Sequence, residues 1–406
     1  MVYCQAMQPY SLYLHIPFCQ HRCGYCDFNT YAGLEDLIPG YVSALSQEAR
    51  LLGEKAEARL PVYTIFFGGG TPSLLPARYL EEILAVLGHV FEILDGIEIT
   101  LEANPGTLSL AYLHSLRQMG VNRLSLGMQS ARPEELRLLE RQHGFGDVVR
   151  AVCWARQAGF ENLNLDLIFG LPEQTLESWQ RNLELALGLK PEHFSLYALT
   201  LEHGTPLGHW AARGLIPLPD PDLAADMYEY ATQRLEEMGY VQYEISNWAK
   251  RDSCDQPVAC RHNLQYWRNL PYLGLGAGAH GYAAGVRTAN VLSPAGYIRR
   301  LIEKPISVDE PGMSFPTTPA TVTAQPVDRQ AEIGETMLMG LRLVEQGVST
   351  KVFRDRFDQE LDQVFGSEIE ELISLGLLEW AGKDRDRLRL TRQGRLLGNQ
   401  VFMRFL

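Results

Sequence analysis

Short apolar runs and amphipathic helical patterns alternate through the first 246 residues, and this alternation restricts the fold more than any other feature of the chain. One strand pattern and one helix pattern together take roughly 30 residues, which is typical of β–α units that build a parallel sheet with helices outside it. Six or seven such units predict an α/β fold, a closed or partial (β/α) barrel rather than an open sheet. The predicted strands are residues 12–16, 62–67, 97–101, 123–126, 162–169, 193–199 and 241–245, and predicted helices include 76–90, 110–119, 147–158 and 176–187.

The regular alternation stops after residue 246, so we expect the rest of the chain to be organised differently. Residues 247–302 are rich in glycine, aromatic and polar residues and show little periodicity. Residues 303–330 are rich in proline and threonine, which predicts a linker or surface loop. Residues 331–406 show three helical patterns followed by a two-stranded wing, which predicts a winged-helix-like α+β domain. The predicted core barrel therefore takes residues 1–246.

The composition limits the kinds of molecule that this chain can bind. Its 406 residues carry a formal net charge of −13, which counts against a general binder of nucleic acids or of anionic membranes. No apolar run approaches the roughly 20 residues of a membrane span, and residues 1–10 lack the pattern of a signal peptide. We therefore expect a cytoplasmic protein, whose cysteines are reduced and able to bind metal or carry out redox chemistry.

Three cysteines, Cys19, Cys23 and Cys26, lie close together just after the first predicted strand. Three thiolates on a short loop can hold three corners of a cubane iron–sulfur cluster, and without a fourth cysteine nearby one iron stays open to an outside ligand. The alternative is a structural zinc site, but zinc sites usually take a fourth protein ligand. His21 lies between two of the thiols, where its ring is expected to point away. The triplet therefore predicts a [4Fe–4S] cluster.

The residues around these cysteines resemble those of a known family. Residues 13–19 (YLHIPFC) and 23–28 (CGYCDF) are similar to the radical SAM superfamily, and more narrowly to the branch that holds oxygen-independent coproporphyrinogen III oxidase and the HemW haem chaperones. The likeness covers nearly the whole chain, including its C-terminal domain. It implies that S-adenosylmethionine (SAM) binds the open iron, and that an electron from the reduced cluster can split SAM to give a 5′-deoxyadenosyl radical. The cofactor carries that chemistry, and the protein orients and protects it.

Glycine and polar residues stand where successive predicted strands end, at the edge where a parallel barrel holds its functional groups. The glycines of residues 67–72 (FGGGTP) let a ligand approach backbone N–H and C=O groups closely. Each polar residue alone could merely cap the helix that follows, but together they form a ring around one barrel mouth. The resemblance leaves open whether one SAM or two bind. It implies that the SAM-binding residues are Tyr13, Gly69, Gly70, Thr71, Glu102, Gln129, Arg141 and Asp166.

A second motif, HNxxYW, occupies residues 262–267 and resembles the motif of the HemW branch. Neutral imidazole is a usual axial ligand of haem iron, and Tyr and Trp rings offer flat faces to a porphyrin. On the residues alone, a packed turn in which His262 bonds to backbone and the aromatic rings are core is the favoured interpretation. The resemblance instead implies a haem-binding role for His262, Asn263, Tyr266 and Trp267, with His280 and Cys260 as further candidates for the ligand.

Phe28 distinguishes two functions within this branch. The oxidases carry another cysteine two positions after the third cluster cysteine, where this chain has Phe28. We therefore expect a haem chaperone that carries the cluster, SAM and haem, and the alternative is an anaerobic coproporphyrinogen oxidase. A nucleic-acid role, suggested only by an arginine-rich wing, is disfavoured by the acidic charge.

The expected partners follow from the chaperone hypothesis. The acceptor protein is not identified by the sequence, and haem-dependent respiratory proteins are candidates, reached by peripheral contact with membrane proteins. Cleavage of SAM would also require an electron donor. The sequence assigns no catalytic residue.

Overall fold

The computed structural model describes residues 8–303 and 314–406. Its contacts divide the chain into two compact units. The core unit comprises the residues up to Met227 together with Pro271–Pro326, and the C-terminal unit comprises Tyr228–Leu270 and Val327–Leu406. Part of the predicted linker or loop, residues 304–313, lies outside the described residues. The domain boundaries predicted from the sequence stay predictions.

Six parallel strands form the centre of the core unit and neighbour one another in the order of the chain. Each is joined to the next through helix-containing chain, as parallel pairing requires, so the predicted α/β fold is confirmed. The strands are β1 (Tyr10–Ile16), β2 (Pro61–Gly69), β3 (Glu92–Ala103), β4 (Arg123–Gln129), β5 (Asn162–Phe169) and β6 (His193–Ala198). The helices between them are Ile38–Lys55, Ala77–Val90, Leu110–Gln118, Pro133–Leu138, Phe145–Gln157 and Leu176–Gly188. Pro206–Ala212 and Pro294–Ile298 are further helices of this unit, and Pro221–Glu237 crosses from it into the C-terminal unit.

Alternation along the strands separates an apolar face from a polar one, and β5 shows this most clearly. Leu163, Leu165 and Leu167 are fully buried, whereas Asn164 and Asp166 lie on the opposite face because successive side chains of a strand point to opposite sides. Polar caps start the helices that cover the apolar side: the Thr175 hydroxyl, for example, accepts a bond from the backbone N–H of Ser178 before Leu176–Gly188. The polar residues of the strands therefore lie on the face of the sheet opposite the helices.

Four further strands extend this sheet beyond β1, and the sequence did not predict them. Tyr272–Leu275 pairs parallel to β1, and His280–Ala283, Val286–Asn290 and Thr321–Pro326 continue antiparallel. These strands have only four to six residues, so each is too short to show a clear period. Thr321–Pro326 lies within the segment predicted as a linker or loop. The prediction missed this strand because proline and threonine occur both in loops and in exposed edge strands.

A buried carboxylate links this extension to the first helix. Glu48 is 1% exposed, and burial raises the pKa of its carboxyl group. Its two oxygens accept bonds from the Gly276 backbone N–H, the Asn290 amide, and the Tyr297 and Thr318 hydroxyls. Because removal of a buried carboxylate's donors is costly, these four bonds hold Gly276, Asn290, Tyr297 and Thr318 against the helix Ile38–Lys55.

The C-terminal unit has a core of its own built from helices and two small antiparallel pairings. Its three-stranded sheet has the order Val348–Ser349, Arg387–Leu390, Leu378–Ala381, and Tyr240–Glu244 pairs with Asn247–Lys250 in an antiparallel hairpin. The predicted winged-helix-like pattern of three helices followed by a hairpin is confirmed. The helices are Arg261–Trp267, Arg329–Gly340, Thr350–Phe357, Leu361–Ser374, Arg392–Leu396 and Gly398–Phe402.

The strand predicted at residues 241–245 is present as Tyr240–Glu244, but it does not belong to the parallel β–α repeat. That strand pairs antiparallel with Asn247–Lys250 across a tight turn. A buried apolar run does not reveal the direction of its partner, and only two residues separate these strands, which suits a hairpin. No helix within residues 8–303 and 314–406 is both long and apolar enough to span a membrane.

Candidate cluster and SAM site

The cysteine loop, residues 19–30, is closed at its base by a short strand pairing. Phe18–Cys19 pairs with Tyr31–Ala32, and the Tyr31 N–H donates to the Pro17 carbonyl at 2.7 Å. Inside the loop, the Cys26 N–H donates to the Cys23 carbonyl at 3.1 Å and makes a turn. The spacing of the cysteines therefore produces a compact loop directly after β1.

Asn29 fastens the far end of this loop to the rest of the core unit. Its side-chain amide donates to the carbonyls of Ala277 at 3.0 Å and Leu292 at 2.9 Å, and its own carbonyl lies 2.9 Å from His15 Nε2. A Cβ at Gly278 would lie 2.4 Å from the Asn29 amide, so this contact requires glycine there. The sequence did not single out Asn29, because its partners come from the irregular region after residue 270.

Each of the three thiols lies beside a hydrogen-bonding side chain. Thr71 Oγ1 donates to Cys19 Sγ at 3.6 Å, Arg141 Nη1 donates to Cys23 Sγ at 3.5 Å, and Cys26 Sγ is 3.8 Å from Thr30 Oγ1. Burial raises the pKa of the Cys19 and Cys26 thiols. Hydrogen bonds to cluster sulfurs are a known means of setting cluster potential, so these contacts are suited to thiolates that bind iron.

The three cysteines surround one cavity of about 430 Å³ in the core unit. Within the part of the chain that the structure describes, no three His, Cys, Asp or Glu side chains are arranged to hold a single metal ion. A cubane cluster takes each thiolate at a different iron, so its ligands need not converge on one point. The predicted SAM-binding residues that line the same cavity are Gly69, Gly70, Thr71, Glu102, Gln129, Arg141 and Asp166.

The glycines at the end of β2 are required by close contacts. A Cβ at Gly70 would lie 2.7 Å from the Phe18 carbonyl oxygen and 3.0 Å from Cys19 Sγ. Gly69 has φ +112°, a conformation that other residues rarely adopt. The Gly70 N–H donates to the Ile16 carbonyl at 2.8 Å, so the glycine turn is fixed against the end of β1 and beside the first cluster thiol.

Two carboxyl groups face the cavity in different surroundings. Glu102 accepts one bond, from the Gly69 N–H at 3.0 Å, and burial together with the nearby Asp166 raises its pKa to about 8. Asp166 accepts from Ser125 Oγ at 2.9 Å and from the Asn164 amide at 2.8 Å, and burial raises its pKa as well. Side-chain donors on both oxygens favour the charged form of Asp166, whereas Glu102 keeps its proton at neutral pH.

The other predicted SAM-binding residues differ in how they reach the cavity. Gln129 has φ +63° at the end of β4, a backbone conformation that is costly for a residue other than glycine and that is concentrated at functional sites. Arg141 donates to the Gly127 carbonyl at 3.1 Å. Tyr13 does not line the cavity; its hydroxyl lies 3.0 Å from His15 Nδ1, and its ring lies behind Gly68, where a Cβ would be 2.9 Å from it.

Several lining residues were not predicted from the sequence. Ser125 belongs to β4 and donates to Asp166. Polar residues at every second position of β4 and of its neighbouring strand β5 could have indicated it. Tyr197, Leu199 and Glu202 come from the end of β6 and the chain after it, and no motif marks them. Phe28 also lines the cavity and is 63% exposed, so the residue at the position of the oxidases' extra cysteine is at the surface of the site.

The HNxxYW motif lies in the C-terminal unit, on the helix Arg261–Trp267. His262 is 1% exposed, and its Nε2 lies 2.9 Å from the Tyr266 hydroxyl, with the two rings edge to face. This is the contact expected of side chains four residues apart on a helix. The Arg342 guanidinium lies 4.4 Å from the centre of the Trp267 ring, and Asn263 is half-buried. The motif residues therefore form a packed group, and His280 is exposed in the other unit.

Comparisons with known proteins agree with the geometry of both units. Residues 13–186 match the radical SAM superfamily and residues 327–397 match the HemN C-terminal domain. The heme chaperone HemW of Bacillus subtilis is 39% identical over 98% of this chain and 99% of its own length, and that of Escherichia coli is 35% identical over 98% and 99%. The chain belongs to the HemW family of the radical SAM superfamily.

The coproporphyrinogen III oxidase (HemN) of Escherichia coli has the same fold as this HemW-family chain. Its structure superposes with a TM-score of 0.80 at 26% identity, covering 98% of this chain and 90% of the oxidase. Radical SAM proteins of this fold carry a [4Fe–4S] cluster and SAM, and the cavity that holds Cys19, Cys23 and Cys26 together with the glycine turn fits both. The family assignment therefore confirms the resemblance seen at residues 13–28.

Proposed function

We propose that this chain is a haem chaperone, which binds haem and transfers it to an acceptor protein while carrying a [4Fe–4S] cluster and SAM. The observation that carries this proposal is the full-length similarity to relatives named heme chaperone HemW, at 35–39% identity, against 26% to the oxidase. The exposed Phe28 at the cavity supports it, because the oxidases have a cysteine at that position.

The core unit supplies the residues for the cluster and SAM. Cys19, Cys23 and Cys26 hold the cluster, with the donors of Thr71 and Arg141 directed at two of the sulfurs. When bound, the cluster and SAM supply one-electron chemistry. The glycine turn presents backbone groups to the SAM amino group, and the carboxyl groups of Glu102 and Asp166 accept hydrogen bonds from SAM.

The C-terminal unit supplies the proposed haem-binding residues, His262, Asn263, Tyr266 and Trp267. Iron and the Tyr266 hydroxyl compete for the same nitrogen, because His262 Nε2 lies within hydrogen-bond distance of Tyr266. Coordination at Nε2 therefore requires this bond to break and the buried ring to become accessible. Local opening of the short helix Arg261–Trp267 is thus a step in haem binding, and reclosure is a means of release to an acceptor.

The partners of this function are an acceptor protein that takes up haem and, where SAM is cleaved, an electron donor. Haem-dependent respiratory proteins are suitable acceptors, reached from the cytoplasm by peripheral contact. The net charge of −13 disfavours nucleic acid as a partner.

Haemin titration tests the proposal. We expect the purified protein to bind haemin with a Soret band that does not depend on the cluster, and His262→Ala to weaken or shift that band because an axial imidazole is lost. His280→Ala, which removes an exposed histidine of the core unit, is the matched control and should leave the band unchanged. A spectrum indifferent to His262 and altered by His280→Ala or Cys260→Ala would move the ligand to that residue.

An oxidase is the second candidate, favoured by the shared fold of the Escherichia coli enzyme. Anaerobic incubation with coproporphyrinogen, SAM and a reductant separates the two functions. We expect no protoporphyrinogen from this chain. Decarboxylation of the propionate side chains would instead establish the oxidase function and leave the cluster and SAM assignments in place.

A further inference from the structure

A row of buried polar side chains crosses three neighbouring strands of the core unit behind the SAM pocket. Asn164 on β5 is in register with Ser125 on β4 and with His193 on β6. Because side chains two residues apart on a strand share a face, Asp166 and Ser195 continue this row. All but Asp166 are at most 5% exposed, and only Ser125 and Asp166 line the cavity.

The hydrogen bonds of this row run in one direction, toward Asp166. His193 Nδ1 and Ser195 Oγ lie 2.7 and 3.2 Å from Asn164 Oδ1. The Asn164 amide donates to Ser125 Oγ at 2.7 Å and to Asp166 Oδ1 at 2.8 Å. Ser125 in turn donates to Asp166 Oδ2 at 2.9 Å. Asn164 therefore donates directly to one carboxylate oxygen of Asp166, and it orients the Ser125 hydroxyl that donates to the other.

The chemistry of the groups fixes this direction. A carbonyl oxygen only accepts, so His193 carries its proton on Nδ1. Burial and the nearby Arg123 hold the pKa of His193 well below its usual value, so the ring is neutral. An Asn164 amide turned by 180° would place its oxygen against the Asp166 carboxylate, which only accepts. The Asp166 carboxylate therefore sets the amide orientation, and the neutral His193 ring and the Ser195 hydroxyl, which can each donate or accept, donate to Asn164 Oδ1.

We propose that Asn164 is a positioning residue for SAM binding: it sets the orientation and hydrogen-bond acceptance of the Asp166 carboxylate. This rests on the proposed SAM role of the cavity. Asn164 does not line the cavity, so it acts on a ligand through Asp166 and Ser125. Without it, Asp166 loses one donor directly and Ser125 loses the donor that fixes its hydroxyl.

SAM titration of the reduced cluster, followed by EPR, tests this inference. Asn164→Leu keeps the side-chain size and removes both amide groups, and we expect it to raise the SAM concentration at half-change at least about tenfold. The EPR signal without SAM and the iron content should stay as in the wild type, because Asn164 does not contact the cysteine loop. In the double variant Asn164→Leu/Asp166→Asn, SAM affinity should lie within about twofold of Asp166→Asn alone, since residues that act through one another are not additive.

Asn182→Leu is the matched control for lost buried hydrogen bonds. Asn182 is 0% exposed and bonds to Ser130, Ala131 and Glu135, none of which lines the cavity. It should lower the unfolding temperature and leave SAM affinity unchanged. Should Asn164→Leu not fold, Asn164→Ala, which also removes the amide but places a smaller side chain beside Asp166, takes its place in the same cycle.

The outcomes distinguish this inference from the SAM assignment. Unchanged affinity in Asp166→Asn alone would overturn the SAM role of the carboxylate. Weaker SAM binding in Asp166→Asn with unchanged binding in Asn164→Leu would overturn only the positioning role. Full additivity in the double variant would do the same, because Asn164 would then act independently of Asp166.

Discussion

The SAM pocket of the core unit and the HNxxYW helix of the C-terminal unit hold their motif residues in opposite ways. In the pocket, seven of the eight predicted SAM-binding residues line one cavity together with the three cysteines. On the helix, His262 and Tyr266 bond to each other and His262 is almost fully buried. A preformed cavity presents its groups to a ligand at once, whereas the packed helix has to give up its own bonds first. We therefore expect a resident cofactor in the first region and a transient ligand at the second.

The cysteines give the largest effect expected from this comparison. Replacing Cys19, Cys23 or Cys26 by Ser should remove the brown chromophore of anaerobically reconstituted protein, because two thiolates cannot hold a cubane. Cys153→Ser is the control, since Cys153 is exposed and away from the cavity. Iron and sulfide analysis should give about four of each per chain in the wild type and in the control. A Cys23→Ser protein with a full cluster would contradict the ligand assignment.

The carboxyl groups of the pocket give the next effect. Asp166→Ala should weaken SAM binding roughly 10- to 150-fold, which is the usual loss of about 1.5–3 kcal/mol for a hydrogen bond to a charged group. Glu102→Ala should weaken it roughly 2- to 10-fold, because the Glu102 carboxyl group is protonated at neutral pH and a neutral hydrogen bond contributes about 0.5–1.5 kcal/mol. The SAM-induced change in the EPR spectrum of the reduced cluster measures this. Glu134→Ala, on the exposed start of a helix, is the control. Unchanged affinity in both pocket variants would return these residues to a structural role.

Much of this pocket was predictable because its determinants are local in sequence. Cys19, Cys23 and Cys26 lie within one loop, and Gly69 to Thr71 lie within one turn, so each motif is visible in a few residues. Strand ends also meet at one edge of a parallel sheet, which predicted Glu102 beside the glycine turn, whereas Asp166 lies within its strand and was predicted from the family resemblance. The structure brings these residues to one cavity. Their roles in binding SAM and the cluster remain predictions, which the experiments above test.

The unpredicted parts depend on contacts between distant segments. Asn29 bonds to Ala277 and Leu292, more than 240 residues away, and no local pattern signals such a partner. The strands of residues 272–326 are too short to show a period. Arg342 lies over the ring of Trp267, which is likewise not visible in the motif. By contrast, the polar residues around Asn164 have a local signal, since three successive strands each show a polar–apolar–polar triplet, although only Asp166 of this group was predicted.

The raised pKa of Glu102 makes the stability of the folded protein depend on pH. The pKa of Glu102 is about 8 in the folded protein and near 4.3 in an unfolded chain. Between these values the folded state holds a proton that the unfolded state releases, so the free energy of unfolding falls as pH rises, by at most about 1.4 kcal/mol per pH unit. Glu102→Gln removes this contribution. Without SAM, the variant should match the wild type near pH 4.5 and become the more stable of the two by pH 8.

Thermal unfolding of the SAM-free protein at several pH values measures this difference. The buried Glu48 and Glu244 have raised pKa values too, so the comparison uses the wild type minus the variant rather than the wild-type slope alone. Glu48→Gln gives a second difference curve from a buried carboxyl group that does not line the cavity. A pH-independent difference for Glu102→Gln would show that Glu102 is already ionised in the folded protein.

The smallest effect is expected on the HNxxYW helix, and it tests whether packing there opposes haem. Tyr266→Phe keeps the aromatic ring and removes the hydroxyl that lies 2.9 Å from His262 Nε2. A hydrogen bond of this kind contributes about 0.5–1.5 kcal/mol. Because iron no longer competes with that hydroxyl, haemin should bind roughly 2- to 10-fold more tightly, with the Soret position unchanged. Haemin titration of the variant beside the wild type and His262→Ala measures it. Weaker binding in Tyr266→Phe would mean that the hydroxyl itself contacts haem or orients the imidazole, and the packed helix would then be the binding conformation rather than a barrier to it.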